Sequence, residues 1–152
     1  IVKWPGTVRA GSRSHLLIQN LDYAPTFLDI AGAPIPDDIQ GVSLLPLLKG
    51  ERPKDWRKSI YYHYYEYPSV HMVPRHYGVR TERYKLMHFY EFGEWEFYDL
   101  QTDPDELTNL YEDPKYAEQI QQAKRELTRL RQYYDDDSDV SLKPAAWRGQ
   151  YR

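Results

Sequence analysis

The sequence predicts an α+β fold in which a four-stranded antiparallel sheet is covered by a long C-terminal helix. Short tyrosine-rich segments lie between residues 60 and 100 and are separated by turn signals, which is typical of paired strands. Between residues 116 and 134 the apolar residues recur at helical spacing, which predicts one long amphipathic helix. A chain of 152 residues can bury its own core, and because it has no cysteine it does so without disulfides.

Composition and charge exclude several classes of function. The 20 Lys and Arg residues are outnumbered by 23 Asp and Glu residues, so the net charge is −3 and a general nucleic-acid surface is excluded. The lack of cysteine excludes iron–sulfur clusters and thiol nucleophiles within the chain. The longest uninterrupted apolar run, residues 44–48, is too short to cross a bilayer. We therefore expect neither a nucleic-acid partner nor a membrane partner.

The first fifty residues predict the end of a strand and then a helix. Residues 1–4 are mostly apolar, and Pro5 and Gly6 end them in a turn. The helix begins near Asn20 or Asp22, either of which can cap it, and ends at Gly32. Its predicted apolar face consists of Leu21, Ala24, Phe27, Leu28 and Ala31.

A short helical turn follows, capped by Ser43 and closed by Gly50. The charged segment 51–58 contains Pro53 and predicts a linker or a domain border. Because the chain has no initiating methionine and begins on an apolar stretch, we expect it to be a piece of a longer protein.

Four strands are predicted after this border, at residues 60–67, 77–80, 84–90 and 94–100. Pro68 ends the first strand because proline cannot donate a hydrogen bond to a neighbouring strand. Asp103 and Pro104 then predict a short helix that ends near Leu110.

Asp113 and Pro114 predict the start of the long helix by the same capping chemistry. Three consecutive aspartates, residues 135–137, would interact unfavourably with the dipole at a helix C-terminus, so the helix should end near Tyr133 or Tyr134. Residues 135–152 are predicted to be an irregular tail. The apolar stripe consists of Tyr116, Ile120, Ala123, Leu127, Leu130 and Tyr134.

The residues alone indicate a binding loop but no catalytic residues. His71, Arg75 and His76 lie between the first two strands, and their side chains suit sugar hydroxyls, sulfate or carboxylate. Spacing alone favours two solvated loop histidines over such a site. His63 and His88 fall within strands and are more typical of half-buried sheet residues than of ligands. The aspartate-rich run 135–139 lacks the glycine and glutamate of a calcium loop, which favours a solvated charge run, so we predict no metal site.

Several segments, in order, resemble the formylglycine-dependent sulfatases of the alkaline phosphatase superfamily. They are residues 1–6 with 20–32, 40–48, 77–86 and 96–110. The resemblance covers residues 1 to 134. It implies that residues 1–50 are the last strand and helix of a large alkaline-phosphatase-like α/β domain, that residues 51–134 form the small C-terminal subdomain, and that residues 135–152 are a tail.

The resemblance also implies an activity for a longer parent protein. Members hydrolyse sulfate esters with a formylglycine residue and a calcium ion, and the formylglycine arises from a Cys/Ser-x-Pro-x-Arg sequence that this chain lacks. We therefore expect no catalytic residue, no metal ligand and no bound cofactor in this chain, and we expect its partners to be the N-terminal catalytic portion of the same protein and a sulfated carbohydrate.

The segment from Tyr67 to His76 is similar to bacterial mucin-desulfating and glucosamine-6-O-sulfatases, which implies that His71, Arg75 and His76 contact the sugar. The resemblance further implies a periplasmic or secreted parent. Two alternatives remain open at this point: a non-catalytic carbohydrate-binding or interaction module, and part of a related phosphatase or phosphonate hydrolase. A Cys/Ser-x-Pro-x-Arg motif upstream would exclude the first alternative, and a comparison of sulfate and phosphate esters would test the second.

Overall fold

The computed structural model describes residues 1–68 and 70–138, and it confirms an antiparallel four-stranded sheet packed against one long helix. The chain divides into two compact units, of which the first is Ile1–Lys58 and the second begins at Ser59. The first unit holds α1 (Tyr23–Ile30) and α2 (Leu45–Leu48). The second holds β1 (Ser59–Tyr64), β2 (His76–Thr81), β3 (Tyr84–Phe89), β4 (Glu94–Asp99) and α3 (Ala117–Tyr133).

The sheet is a meander in which each strand pairs with its neighbour in sequence, in the order β1-β2-β3-β4. One row of paired residues crosses all four strands: Tyr61 lies opposite Val79, Val79 opposite Leu86, and Leu86 opposite Phe97. The last three of these are almost completely buried. Because side chains alternate between the two faces of a strand, this row marks the sheet face that α3 covers.

The long helix forms as the sequence predicts. The Asp113 carboxylate accepts a hydrogen bond from the backbone N–H of Lys115 at 3.0 Å, and Pro114 begins a 3-10 turn that leads into α3 at Ala117. The helix ends at Tyr133. The buried core residues of its stripe are Ile120, Ala123, Leu127 and Leu130, with Tyr116 and Tyr134 packed against them.

Residues 1–4 form no strand within the described residues. A strand requires a hydrogen-bonded neighbour, and within the described residues the one sheet contains only β1 to β4. The carbonyl of Trp4 instead accepts hydrogen bonds from the N–H groups of Thr7 and Val8, which closes a turn.

The first strand is shorter than predicted. Tyr64 pairs with His76, the first residue of β2, so Tyr65 has no partner on that strand. The carbonyl of Tyr65 accepts a hydrogen bond from Nε of Arg75 instead, at 2.8 Å. The strand therefore ends before Pro68 is reached.

The predicted short helix after Asp103 does not form. The Asp103 carboxylate accepts hydrogen bonds from the N–H groups of Leu107 and Thr108 at 3.1 and 2.9 Å, and Glu106 adopts a left-handed φ of 56°. A left-handed residue interrupts a right-handed helix, so the same capping side chain stabilises a turn here.

The chain then returns to the edge of β4. The side-chain oxygen of Asn109 accepts the N–H of Phe97 at 3.0 Å, and the N–H of Leu110 donates to the carbonyl of Phe97 at 2.8 Å. These two bonds satisfy backbone groups on the outer side of β4, where no further strand among residues 1–68 and 70–138 pairs with it.

The first unit is organised around the fully buried carboxylate of Asp22. It accepts the N–H of Gln19 at 2.7 Å, the N–H of Val42 at 2.9 Å, and two hydrogen bonds from Arg57 at 2.7 and 2.6 Å. Asp22 occupies the N-cap position of α1, as predicted, but its side chain makes no capping hydrogen bond, because it binds Gln19, Val42 and Arg57 instead. Gly41 is required beside it, since a Cβ there would lie 2.0 Å from the carbonyl oxygen of Leu21.

The segment 51–58 belongs to the first unit, and two of its last side chains bind the rest of that unit. Nε1 of Trp56 donates to the carbonyl of Leu17 at 2.9 Å, and Arg57 binds Asp22. The predicted apolar face of α1 stays largely outside this core, because Leu21 and Phe27 are exposed in the structure.

Replacing Leu127 with alanine should lower the free energy of unfolding by about 2–5 kcal/mol, because it removes a buried side chain in the middle of the α3 stripe. Replacing the exposed Arg125 with alanine should change it by less than about 0.5 kcal/mol. Urea denaturation of the two variants measures both effects, and equal midpoints would contradict the docking of α3 on the sheet.

Candidate functional site

The loop between β1 and β2, residues 65–75, holds two of the three predicted site residues, and its base is fixed by a buried arginine. Arg75 is 4% exposed. Its Nε donates to the carbonyl of Tyr65 at 2.8 Å, and its Nη1 lies 2.8 Å from a carboxylate oxygen of Glu91 in the β3–β4 turn. Arg75 therefore connects the end of β1, the start of β2 and the neighbouring turn.

His71 and His76 occupy different surroundings. His71 is exposed on the loop, next to Met72, whose φ of 49° is left-handed. His76 is half-buried at the start of β2, where its Nδ1 lies 2.8 Å from the carbonyl oxygen of Pro74. Its ring stacks against Tyr64, with the two ring centroids 5.5 Å apart.

None of the contacts described for residues 70–76 joins His71, Arg75 and His76 directly to one another. The structure places His71 outward, Arg75 inward and His76 among aromatic rings on the sheet. Their role as substrate contacts stays a prediction.

A second polar cluster surrounds Asp136, just beyond the end of α3, and the sequence did not reveal it. The Asp136 carboxylate accepts short hydrogen bonds from the hydroxyls of Tyr61 and Ser138, and it lies 2.8 Å from Nδ1 of His63. Nε2 of His63 lies 3.1 Å from the hydroxyl of Tyr90, so both ring nitrogens have partners. The cluster attaches the chain after α3 to β1.

The prediction of a solvated charge run is therefore wrong for Asp136, while residue 139 of that run lies outside the described residues. Local spacing could not have revealed the cluster, because Tyr61 and His63 are more than seventy positions away from Asp136. The prediction that His63 is a sheet residue is confirmed, and so is that for His88, which stacks on Trp95 with a centroid separation of 4.0 Å.

Hydrogen bonding controls the ionisation of this cluster. Burial alone would raise the pKa of Asp136, but hydrogen bonds from Ser138, Tyr61 and His63 hold that pKa well below its ordinary value. Burial and the hydrogen bond to Asp136 raise the pKa of the Tyr61 phenol. At neutral pH a neutral phenol thus donates to an ionised carboxylate, which is a stabilising arrangement and offers no free base.

The described residues contain no group of three or more His, Asp or Glu side chains that could hold a metal ion. None of the helices formed by residues 1–68 and 70–138 has the length and apolar character needed to span a membrane.

Comparison with known proteins gives this architecture a class. Residues 1–133 match the family described as N-sulphoglucosamine sulphohydrolase, C-terminal. An N-acetylglucosamine-6-O-sulfatase of Bacteroides thetaiotaomicron is 44% identical over 155 residues, which cover 100% of this chain and 28% of the relative. A Δ4,5-hexuronate-2-O-sulfatase of the same organism is 41% identical over 105 residues, covering 68% of this chain and 21% of the relative.

Solved structures agree with this class. A protein in complex with its substrate D-glucosamine-2-N,6-O-disulfate superimposes with a TM-score of 0.88 at 46% identity, over 93% of this chain and 30% of that one. A phosphonate monoester hydrolase of Agrobacterium radiobacter gives a TM-score of 0.61 at 29% identity, over 74% and 24% of the two chains.

Fold and sequence together therefore define a C-terminal sulfatase module of the alkaline-phosphatase-like class. The chain belongs to the N-sulphoglucosamine sulphohydrolase, C-terminal family. It spans 28% of the length of its N-acetylglucosamine-6-O-sulfatase relative.

The variant Asp136→Asn should be less stable than the unmodified chain at neutral pH, and the difference should shrink in acid. Because the pKa of Asp136 is lower in the folded state, its contribution is complete above about pH 5 and is lost as the pH falls below the unfolded value near ~3.9. Urea denaturation at pH 7 and pH 3.5 measures both differences. Asp137→Asn, at an exposed neighbour, is the matched control, and a difference that does not depend on pH would contradict the ionised state of Asp136.

Proposed function

We propose that this chain is the C-terminal part of a longer sulfatase that hydrolyses sulfate esters on glycans, and that it forms part of the wall of the substrate pocket. The observation that carries the proposal is the superposition, over 93% of the chain, on a protein whose substrate is a sulfated glucosamine. The identity of 44% to an N-acetylglucosamine-6-O-sulfatase supports the same substrate class. Sulfated glucosamine units of a glycan are therefore the substrate that we propose.

Catalysis and recognition would be divided along the sequence. The formylglycine and calcium that sulfatases generally use would belong to the N-terminal portion, since this chain has no cysteine and no Ser-x-Pro-x-Arg sequence. The loop at residues 65–75, together with His76, would contribute recognition, because exposed loops on a rigid sheet are common binding elements. We propose that the parent enzyme is periplasmic or secreted, as the resemblance to bacterial glycan sulfatases implies.

His71 is the side chain that we propose for direct substrate contact. It is exposed on the loop, and an imidazole can donate a hydrogen bond to a sulfate or hydroxyl oxygen. His76 is the second candidate, although its Nδ1 already lies 2.8 Å from the Pro74 carbonyl.

The longer protein should release sulfate from 6-O-sulfated glucosamine, and the 152-residue chain alone should release none, because it has no residue that can become formylglycine. Sulfate release with calcium present measures both. Calcium-dependent turnover by the chain alone would contradict the proposed division. Faster hydrolysis of a phosphonate monoester than of the sulfated sugar would favour the hydrolase class that shares this fold.

In the longer protein, His71→Ala should raise KM for the sulfated sugar by about tenfold, because it removes one hydrogen bond to a charged group. His15→Ala, which changes an exposed histidine of the first unit, is the control and should leave KM unchanged. Steady-state kinetics decides, and equal KM values for the two variants would exclude contact between His71 and the substrate.

A further inference from the structure

We infer that Arg75 acts as a positioning residue for substrate recognition and does not contact the substrate, an inference that rests on the proposed function. The sequence groups Arg75 with His71 and His76 as a possible substrate contact. The surroundings of its guanidinium point to a different role.

Arg75 carries a permanent charge in a nearly inaccessible position. A guanidinium cannot be deprotonated in a protein, so its burial has to be offset by partners. Arg75 is 4% exposed, and two of its nitrogens are engaged: Nε with the carbonyl of Tyr65 and Nη1 with Glu91, each at 2.8 Å. A sulfate at this guanidinium would have to displace Glu91, whose side chain is 19% exposed, and would have to reach a guanidinium that is only 4% exposed.

The two partners of Arg75 come from separate places along the chain. Tyr65 is the first residue after β1, and Glu91 lies between β3 and β4. Arg75 itself immediately precedes β2, so one side chain joins both ends of the loop to the adjacent turn.

A second contact links the same two segments. The rings of Tyr67 and Phe92 meet edge to face with centroids 6.4 Å apart. The base of the loop is thus held by an ion pair, a backbone hydrogen bond and an aromatic pair, while His71 remains exposed between them. Holding a binding loop in one conformation reduces the entropy lost on binding, which is how Arg75 would increase affinity without touching the ligand.

The experiment uses two variants that weaken the same contact from opposite sides, Arg75→Lys and Glu91→Gln, together with the double variant, in the longer protein. Lysine cannot donate to both partners in the forked geometry of arginine. Glutamine removes the charge and keeps an acceptor. The matched control is Arg83→Lys, which weakens a bidentate pair with the buried Asp99 outside the loop.

We expect Arg75→Lys to raise KM for the sulfated sugar by about tenfold with kcat within about twofold, because misplacement of a binding group weakens recognition. Glu91→Gln should raise KM by about threefold, and the double variant should be no worse than Arg75→Lys. Hydrogen exchange of the backbone amides at residues 66–73 should accelerate in both variants and not in Arg83→Lys, even if all three lose stability.

Three results would overturn the inference. A raised KM in Arg75→Lys with an unchanged KM in Glu91→Gln would mean that Arg75 touches the substrate. Unchanged loop exchange in Arg75→Lys would show that the arginine does not hold the loop, and an equally raised KM in Arg83→Lys would reduce the effect to lost stability. Absence of sulfate release by the unmodified protein overturns the proposed function instead, and this control is measured before any variant.

Discussion

Each unit of this protein depends on a carboxylate that is completely removed from water and must therefore be surrounded by donors. Asp22 in the first unit and Asp99 in the second are both 0% exposed, and each accepts two hydrogen bonds from one arginine, Arg57 or Arg83. Burying an unpaired carboxylate costs several kcal/mol. Backbone N–H groups consequently have to lie within hydrogen-bonding distance of each aspartate. This requirement holds the surrounding loops in one conformation.

Asp99 shows how this requirement acts on the sheet. Hydrogen bonds from Arg83 hold the pKa of Asp99 below its ordinary value against the opposing effect of burial. Arg83 lies in the turn between β2 and β3, whereas Asp99 ends β4. The pair thereby fixes the β2–β3 turn against the outer strand. The backbone N–H of Gln101 donates a further hydrogen bond to the Asp99 carboxylate at 3.2 Å.

The elements that follow from a periodic pattern of apolar residues could be predicted from the sequence. Contacts between residues that are distant in sequence could not. The α3 stripe and the β3 and β4 strands follow from repeating apolar positions. The bounds of both strands agree with the structure to within about one residue, whereas α3 begins at Ala117, after the predicted start at Asp113 and Pro114. Asp103 misled the prediction because one capping carboxylate serves a turn as well as a helix. The buried state of Arg75 and the cluster at Asp136 depend on partners far along the chain, and no local pattern reports them.

The meander also determines how the second unit can reach its native state. Every strand pairs with its neighbour in sequence, so the sheet is built from local contacts, which are associated with fast folding. The apolar face of this sheet, which includes Val79, Leu86 and Phe97, is buried in one core with the apolar residues of α3. Since α3 contacts β1, β2 and β3 from the far end of the described chain, its docking closes the largest loop of the unit. Helix docking should therefore be the late step that makes folding cooperative, and a ribosome-bound chain that ends before α3 would carry a sheet with an exposed apolar face.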